Sequence, residues 1–244
     1  MELENIFKME MFKNRNDKPY LIVIAILTVM AATASILGVW MFKNMLSDLT
    51  ILLIFEIVLI VFTTIGLSVF FLLYPFHLLN VDYKNKVISL IFASGVSRGK
   101  YYFVKISATI LSSLIAMLVI LFIPIVTFLI VYPDTFVEIV RNIFDNFNSS
   151  DIFSFALSGT VGLVANIVML TTAVIITKGK TSGIFLYFAF SFVVSIIQSS
   201  SIFPLLLSNR FTPGHYLYLG AVFSTVKIIV FVLIGLNVLR KQDL

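Results

Sequence analysis

The sequence has no cysteine, only two histidines and few charged residues. The absence of cysteine excludes disulfides, thiolate metal sites and a cysteine nucleophile. The histidines, His77 and His215, lie far apart and belong to no His-Glu-x-x-His sequence, so no zinc site is expected. Charged residues make up 12% of the chain, against about 25% in a typical soluble domain. Because 60% of the residues are hydrophobic, lipid has to solvate much of the surface.

A nucleotide-binding loop is also missing. Gly179-Lys180-Thr181 matches the end of a phosphate-binding loop, but that loop needs a glycine where this chain has Val174. These residues are therefore expected to form a basic turn between membrane spans. The chain has no nucleotide-binding domain of its own and offers no catalytic residues.

Six apolar stretches are long enough to cross a bilayer, which takes about 20 residues of helix. The sequence therefore predicts an all-α, polytopic membrane protein with a single transmembrane domain over residues 1–244. An even number of spans places both termini on one side. The predicted spans are about 20–42, 51–79, 101–132, 152–177, 183–207 and 215–239.

The distribution of basic residues predicts the orientation. Thirteen lysines and arginines fall in the segments on the side of the termini, and only Lys43, Arg141 and Arg210 fall on the other side. Basic residues are enriched in cytoplasmic loops, so both termini are predicted to be cytoplasmic. The net charge of +5 then follows from membrane topology, and no nucleic-acid partner is expected.

Residues 1–18 are too polar for a span. Leu3, Ile6, Phe7 and Met11 recur at helical spacing, which predicts an amphipathic helix lying along the inner membrane face. An unstructured basic tail is the alternative.

The segment between the second and third spans predicts a short amphipathic helix. Val87, Leu90 and Ile91 share one helical face, and Lys84 and Lys86 precede them. Gly95 is suited to ending this helix and Ser97 to capping the next. Such a helix fits the groove of a soluble partner, although a helix resting on lipid explains the same pattern.

At this point the chain resembles the membrane (permease) subunits of type-2 ABC exporters, over almost its whole length. These subunits have an amphipathic first helix, six spans and a coupling segment between spans two and three. They commonly carry an acidic residue, a leucine-like run, a Pro-x-Ser-Arg-like turn and a lysine beyond it. This chain has Asp82, Ser89-Leu90-Ile91, Gly95-Val96-Ser97-Arg98 and Lys105 in that order. Gly95 stands where the family usually has proline, and the usual Gly-Thr pair is absent.

The resemblance implies a partnership with a soluble ATPase that binds ATP and Mg²⁺, and with a second permease subunit in a homodimer or heterodimer. The coupling surface would comprise Lys84, Lys86, Val87, Leu90, Ile91, Ser97 and Arg98. The compact chain is similar to bacterial cell-membrane subunits that export antimicrobial or toxin-like peptides such as phenol-soluble modulins. A lipid or drug exporter subunit is an alternative, and so is a secondary transporter without an ATPase. The family also has a re-entrant turn between the last two spans, which the segment around Pro204 fits as well as an ordinary helix end does.

Polar side chains inside the spans are the remaining candidates for function. The candidates for a translocation surface are Ser191, Ser195, Gln198 and Ser199 in the fifth span, although the four-residue spacing of these serines also predicts close helix packing. The resemblance implies that the second span joins them through Thr63, Thr64 and Ser68. Small residues every four positions, such as Ser158 and Gly162 in the fourth span, predict close helix packing. Glu56 and Lys227 are charges at membrane depth, with either a functional or a structural role.

Overall fold

The computed structural model describes residues 3–43, 50–146, 149–207 and 213–242. Every regular element in these ranges is a helix, which confirms the all-α prediction. In chain order the helices are α1 (Leu3–Arg15), α2 (Lys18–Lys43), α3 (Thr50–Lys84), α4 (Val87–Ala93), α5 (Arg98–Val131), α6 (Pro133–Asn146), α7 (Ser149–Ile176), α8 (Ser182–Leu207) and α9 (Pro213–Lys241).

Six of these helices, α2, α3, α5, α7, α8 and α9, are long and apolar enough to cross a membrane. They coincide with the six predicted spans. Large apolar side chains such as Leu118 on α5 and Phe185 on α8 are exposed on them, as expected of surfaces that face lipid. The α5 helix has 34 residues and is about 50 Å long at 1.5 Å per residue. It is therefore longer than the roughly 30 Å hydrocarbon layer.

The remaining helices, α1, α4 and α6, connect or precede the spans. The sequence predicted α1 and α4. It did not predict α6, which lies between the third and fourth predicted spans. Phe136, Val137 and Val140 recur there at helical spacing, and Asp134 and Glu138 are the acidic residues of the same stretch. Pro133 occupies the first helical position, where proline is favoured. The region around Pro204 continues α8 as far as Leu207, and residues 208–212 of the predicted re-entrant turn lie outside the described residues.

The helices form two compact units, each assembled from separate chain segments. Unit 1 consists of Met1–Glu10, Pro75–Ile110 and Phe147–Leu244, and unit 2 of Met11–Tyr74 and Leu111–Asn146.

In unit 1 the α7 helix packs along α9 and against α8. A Cβ on Gly220 would lie 3.0 Å from Ser158 Oγ, so the small residues do allow close packing. Residue numbers rise together along both helices, so α7 and α9 are parallel, as two spans separated by one returning span must be. The facing pairs are Ser158 with Gly220, Gly162 with Ser224, Asn166 with Lys227 and Thr172 with Phe231.

In unit 2 the start of α2 packs against α3 and α5. The Tyr20 ring stacks on Tyr74 at 3.9 Å between centroids and on Phe70 at 5.5 Å. Tyr20 Oη also donates a hydrogen bond to the Ser112 carbonyl oxygen at 2.9 Å. The aromatic stack and this hydrogen bond attach the entry of the first span to its two neighbours.

The predicted turn at Gly179-Lys180-Thr181 follows the end of α7. Gly179 adopts φ +74° and its N–H donates to the Val174 carbonyl at 2.9 Å, which is a helix-ending turn. A Cβ at this position would lie 2.6 Å from Tyr83 Cβ. Glycine is therefore required by both the backbone conformation and the close approach of α3.

Candidate functional site

Four buried polar side chains meet in unit 1, and we refer to Glu10, Asp82, Tyr101 and Lys105 as the ionic cluster. Lys105 Nζ lies 2.6 Å from Glu10 Oε2 and also forms an ion pair with Asp82 Oδ2. Tyr101 Oη donates to Asp82 Oδ2 at 3.2 Å. None of the four residues is more than 3% exposed, so the charges are compensated by one another and by hydrogen bonds instead of by bulk water.

Three helices supply the cluster. Glu10 comes from α1, Asp82 from the last turn of α3, and Tyr101 and Lys105 from the start of α5. Tyr101 and Lys105 are four residues apart and so lie on one face of α5. Two carboxylates and one ammonium give the cluster a net charge of −1, which makes Lys105 the group on which both acids depend.

The sequence indicated Asp82 and Lys105 through the family-like order of residues, but it did not indicate Glu10 or Tyr101. On α1 the buried residues are Ile6, Glu10 and Asn14, which follow one another at four-residue spacing. Only Ile6 of these belongs to the predicted apolar face. The spacing was visible in the sequence, but a search for apolar periodicity cannot detect a buried stripe that contains two polar residues.

A second group of contacts holds the end of α9. Arg98 Nη1 donates to the carbonyl oxygens of Leu239 and Arg240 at 3.1 and 2.7 Å. The carbonyl groups in the last turn of a helix have no N–H partner within the helix, and Arg98 supplies one to these two. Gln242 Nε2 donates to the Ile175 carbonyl at 2.5 Å, and Gln242 Oε1 accepts from Tyr83 Oη at 3.3 Å. The ends of α3, α7 and α9 and the start of α5 are thereby joined.

The short helix α4 is fixed to this assembly along one side. Ile88 and Val96 are buried in the hydrophobic core of unit 1, and Ile91 and Phe92 pack against that core. The Phe92 ring lies 5.5 Å from the Tyr101 ring, edge to face, and the Arg98 guanidinium lies 5.7 Å from the Phe92 centroid. Phe92 therefore connects α4 with both the ionic cluster and the end of α9.

The other side of α4 is open. Leu90 is 68% exposed, and Lys84 and Lys86 are exposed beside it. The predicted coupling residues therefore divide between two faces: Leu90 and the lysines face outward, Val87 is half-buried, and Ile91 packs inward. An exposed leucine that follows two lysines on a short helix is suited to docking in an apolar groove of a partner.

The predicted turn after α4 is confirmed. Gly95 has φ +86° and its N–H donates to the Phe92 carbonyl at 3.0 Å. Proline has a fixed φ near −65° and no N–H, so proline would not fit this turn. Ser97 Oγ accepts from the Lys100 N–H at 3.4 Å and so caps α5, as predicted.

The predicted path residues belong to different units. Thr63, Thr64 and Ser68 lie on the part of α3 in unit 2, where Thr63 is buried and the other two are exposed. The α8 residues lie in unit 1. There Ser195 and Ser199 are exposed, and Ser191 and Gln198 are half-buried. That the two groups line one path stays a prediction.

Of the two predicted intramembrane charges, Lys227 has a defined partner. Its Nζ donates to Asn166 Oδ1 on α7 at 2.6 Å, near the middle of both spans. Glu56 lies in α3, and its side chain is outside the described residues. Among the residues that the structure describes, no three His, Cys, Asp or Glu side chains lie close enough to hold a metal ion.

The chain matches no protein-family model, no curated protein and no solved structure.

Proposed function

We propose that the protein is the membrane subunit of an ATP-driven exporter of a bacterial cell membrane. It would form a dimer, with itself or with a related subunit, and each dimer would bind two soluble ATPase subunits. Both termini would be cytoplasmic, in line with the thirteen basic residues on that side. ATP and Mg²⁺ would be bound by the ATPases, since this chain has no site for them.

The observation that carries this proposal is that α4 is buried on one side and exposed on the other. Leu90, on the outer side, is 68% exposed. A helix that only rests on lipid would turn its apolar side chains to the lipid, whereas α4 packs one apolar side against the core of unit 1. Its inner side is connected through Phe92 and Tyr101 to the ionic cluster. A push on α4 would therefore reach α1, α3 and α5 through a contiguous set of contacts.

The proposed cargo is an amphipathic peptide. The α8 helix carries exposed Ser195 and Ser199 beside the exposed apolar Phe192 and Ile196. This surface offers both hydroxyl and apolar groups, and an amphipathic peptide needs both. A lipid or drug substrate would use the same surface, so the substrate has to be determined by transport.

The test is removal of the exposed anchor. In Leu90→Glu, an acidic group replaces the apolar contact, and we expect loss of the ATP hydrolysis that co-purifies with the tagged chain from its native membrane. Peptide resistance of the cells should fall with it, while the amount of inserted protein is unchanged. Reversing the charge of Arg98 would be a less specific test, because Arg98 also holds the end of α9.

Met9→Glu is the matched control, since Met9 is an exposed apolar residue on α1. It should retain the co-purifying ATPase. If Leu90→Glu also retains both ATPase and resistance, α4 is not the docking site. If the unaltered chain transports peptide without any ATPase, a secondary transporter replaces the exporter proposal.

A further inference from the structure

Unit 2 contains a cavity of about 630 Å³ beside the last turn of α1, the start of α2 and the middle of α5. Its size lies in the range of sites that hold small molecules. Most of the wall is apolar, with Leu21, Ile24, Ile115 and Val119 among the lining residues. The cavity lies where the chain enters its first membrane span, which is close to the level of lipid headgroups.

Among the polar residues that line the same cavity, Arg15 and Asn14 have unused hydrogen-bonding groups. Arg15 is exposed and makes no hydrogen bond or ion pair with the residues that the structure describes. Asn14 is only 1% exposed: its Nδ2 donates to Ser112 Oγ at 2.9 Å, but its Oδ1 has no hydrogen-bond partner. A buried acceptor without a donor is rare in folded proteins and calls for an explanation.

We propose that this cavity binds an anionic phospholipid with a hydroxyl-bearing headgroup, of the phosphatidylglycerol type. The apolar wall contacts part of an acyl chain. The Arg15 guanidinium donates two charge-assisted hydrogen bonds to the phosphate, in a bidentate contact. A headgroup hydroxyl donates to Asn14 Oδ1. The lipid thus supplies an anion, a hydroxyl donor and an apolar chain to the three features that this protein leaves unpartnered.

Charge favours the lipid over the other occupants. A cationic amphipathic peptide would be repelled by the positive charge of Arg15. The anionic lipid headgroups of the membrane would attract such a peptide more strongly than this cavity would. A soluble glycerol phosphate would satisfy Arg15 and Asn14 but would leave the apolar wall empty. A phospholipid of the membrane is the occupant that fits the whole site. Its binding would not depend on which substrate the protein transports.

The test measures lipid retained by the full-length protein, by native mass spectrometry after release from vesicles of equal parts phosphatidylglycerol and phosphatidylcholine with identical acyl chains. One arginine near the membrane surface contributes about 1 kcal/mol to the free energy of binding an anionic lipid. We therefore expect the protein to retain phosphatidylglycerol in about fivefold preference to phosphatidylcholine. Arg15→Gln should abolish this preference without abolishing lipid retention. Lys8→Gln, which removes an exposed charge from the same helix, should leave the preference intact.

Two further arms separate the acyl and hydroxyl contacts. Val119→Phe narrows the apolar wall and should lower retention of both lipids; Ile24→Phe serves if that variant does not fold. Phosphatidylmethanol is anionic but has no headgroup hydroxyl, and it should be retained less than phosphatidylglycerol. Equal retention of phosphatidylglycerol and phosphatidylcholine, an equal effect of Lys8→Gln, or full competition by soluble glycerol phosphate would each overturn the proposal.

Discussion

At the scale of single residues, Lys105 is the cation between Glu10 and Asp82 in the interior of unit 1. Taking charges out of water is costly, and a buried pair is tolerated only when the partners are well placed. The cost of losing one partner therefore depends on what remains. Without Lys105, two carboxylates face each other, whereas without the charge of Glu10 a balanced pair of Lys105 and Asp82 is left.

We expect Lys105→Gln to lower the free energy of unfolding by about 3–5 kcal/mol, the usual cost of breaking a buried ion pair. Glu10→Gln should cost less, because it keeps the shape of the side chain and removes the excess negative charge. Thermal or denaturant unfolding of the purified protein in one detergent would measure both. Lys8→Gln is the control: its ion pair with Glu4 is exposed, with side chains 69% and 68% accessible, and is worth at most about 1 kcal/mol. Equal losses for Lys105→Gln and Glu10→Gln would show that the cluster is not organised around the lysine.

Sequence reasoning identified two members of this cluster and missed the other two. Asp82 and Lys105 stand at the junctions of long apolar spans, where charged residues are conspicuous. Glu10 lies in a polar segment that contains several other charges, so nothing local distinguishes it. Its burial depends on the partner that α5 provides, and this pairing becomes visible only when α1 and α5 are placed side by side.

At the scale of helices, the length of the apolar stretches predicted all six helices that could cross a membrane. A bilayer can be crossed only by a long, continuous apolar helix, and such a stretch is easily recognised in a sequence. The surface helices were harder to predict. The face of α4 was assigned to Leu90 and Ile91 together, yet the structure buries Ile88 and packs Ile91 inward while Leu90 stays exposed. The seven residues of α4 are almost all apolar, so their pattern does not define a single apolar face. The packing of α4 against the other helices therefore decides which side is buried. The sequence did not predict α6, because a search for long apolar stretches passes over a segment that carries acidic residues.

The parallel contact of α7 with α9 predicts a position-specific effect of added side-chain volume. Gly220→Val would force a side chain toward Ser158, because a Cβ alone would already lie 3.0 Å from its hydroxyl. We expect a loss of about 1–3 kcal/mol, typical of overpacking, measured by thermal unfolding and by the monodisperse fraction on gel filtration. Gly159→Val is the control, since a Cβ there meets nothing within 4 Å and valine is the better helix former. Similar behaviour of the two variants would mean that α7 and α9 are not in tight contact at Gly220.

At the scale of the whole molecule, the six helices that are long and apolar enough to cross a membrane carry most of the apolar residues of the described chain. The basic residues are concentrated on one side of the predicted topology. The ionic cluster, α4 and the contacts at the end of α9 all belong to unit 1, whereas the proposed lipid site belongs to unit 2. The exporter proposal requires that α4 be on the side of the membrane where ATP is present. An external α4 could not be driven by an intracellular ATPase.

The most direct test of this requirement is cysteine accessibility in intact cells with a membrane-impermeant maleimide. The chain has no native cysteine, and Ser94 beside α4 and Asp134 after α5 are both exposed. Gln242 is unsuitable as a terminal probe, because it is buried and bonded to Ile175. The account predicts that Asp134→Cys reacts in intact cells and that Ser94→Cys reacts only after permeabilisation. Labelling of Ser94→Cys in intact cells would place α4 outside and would contradict the account.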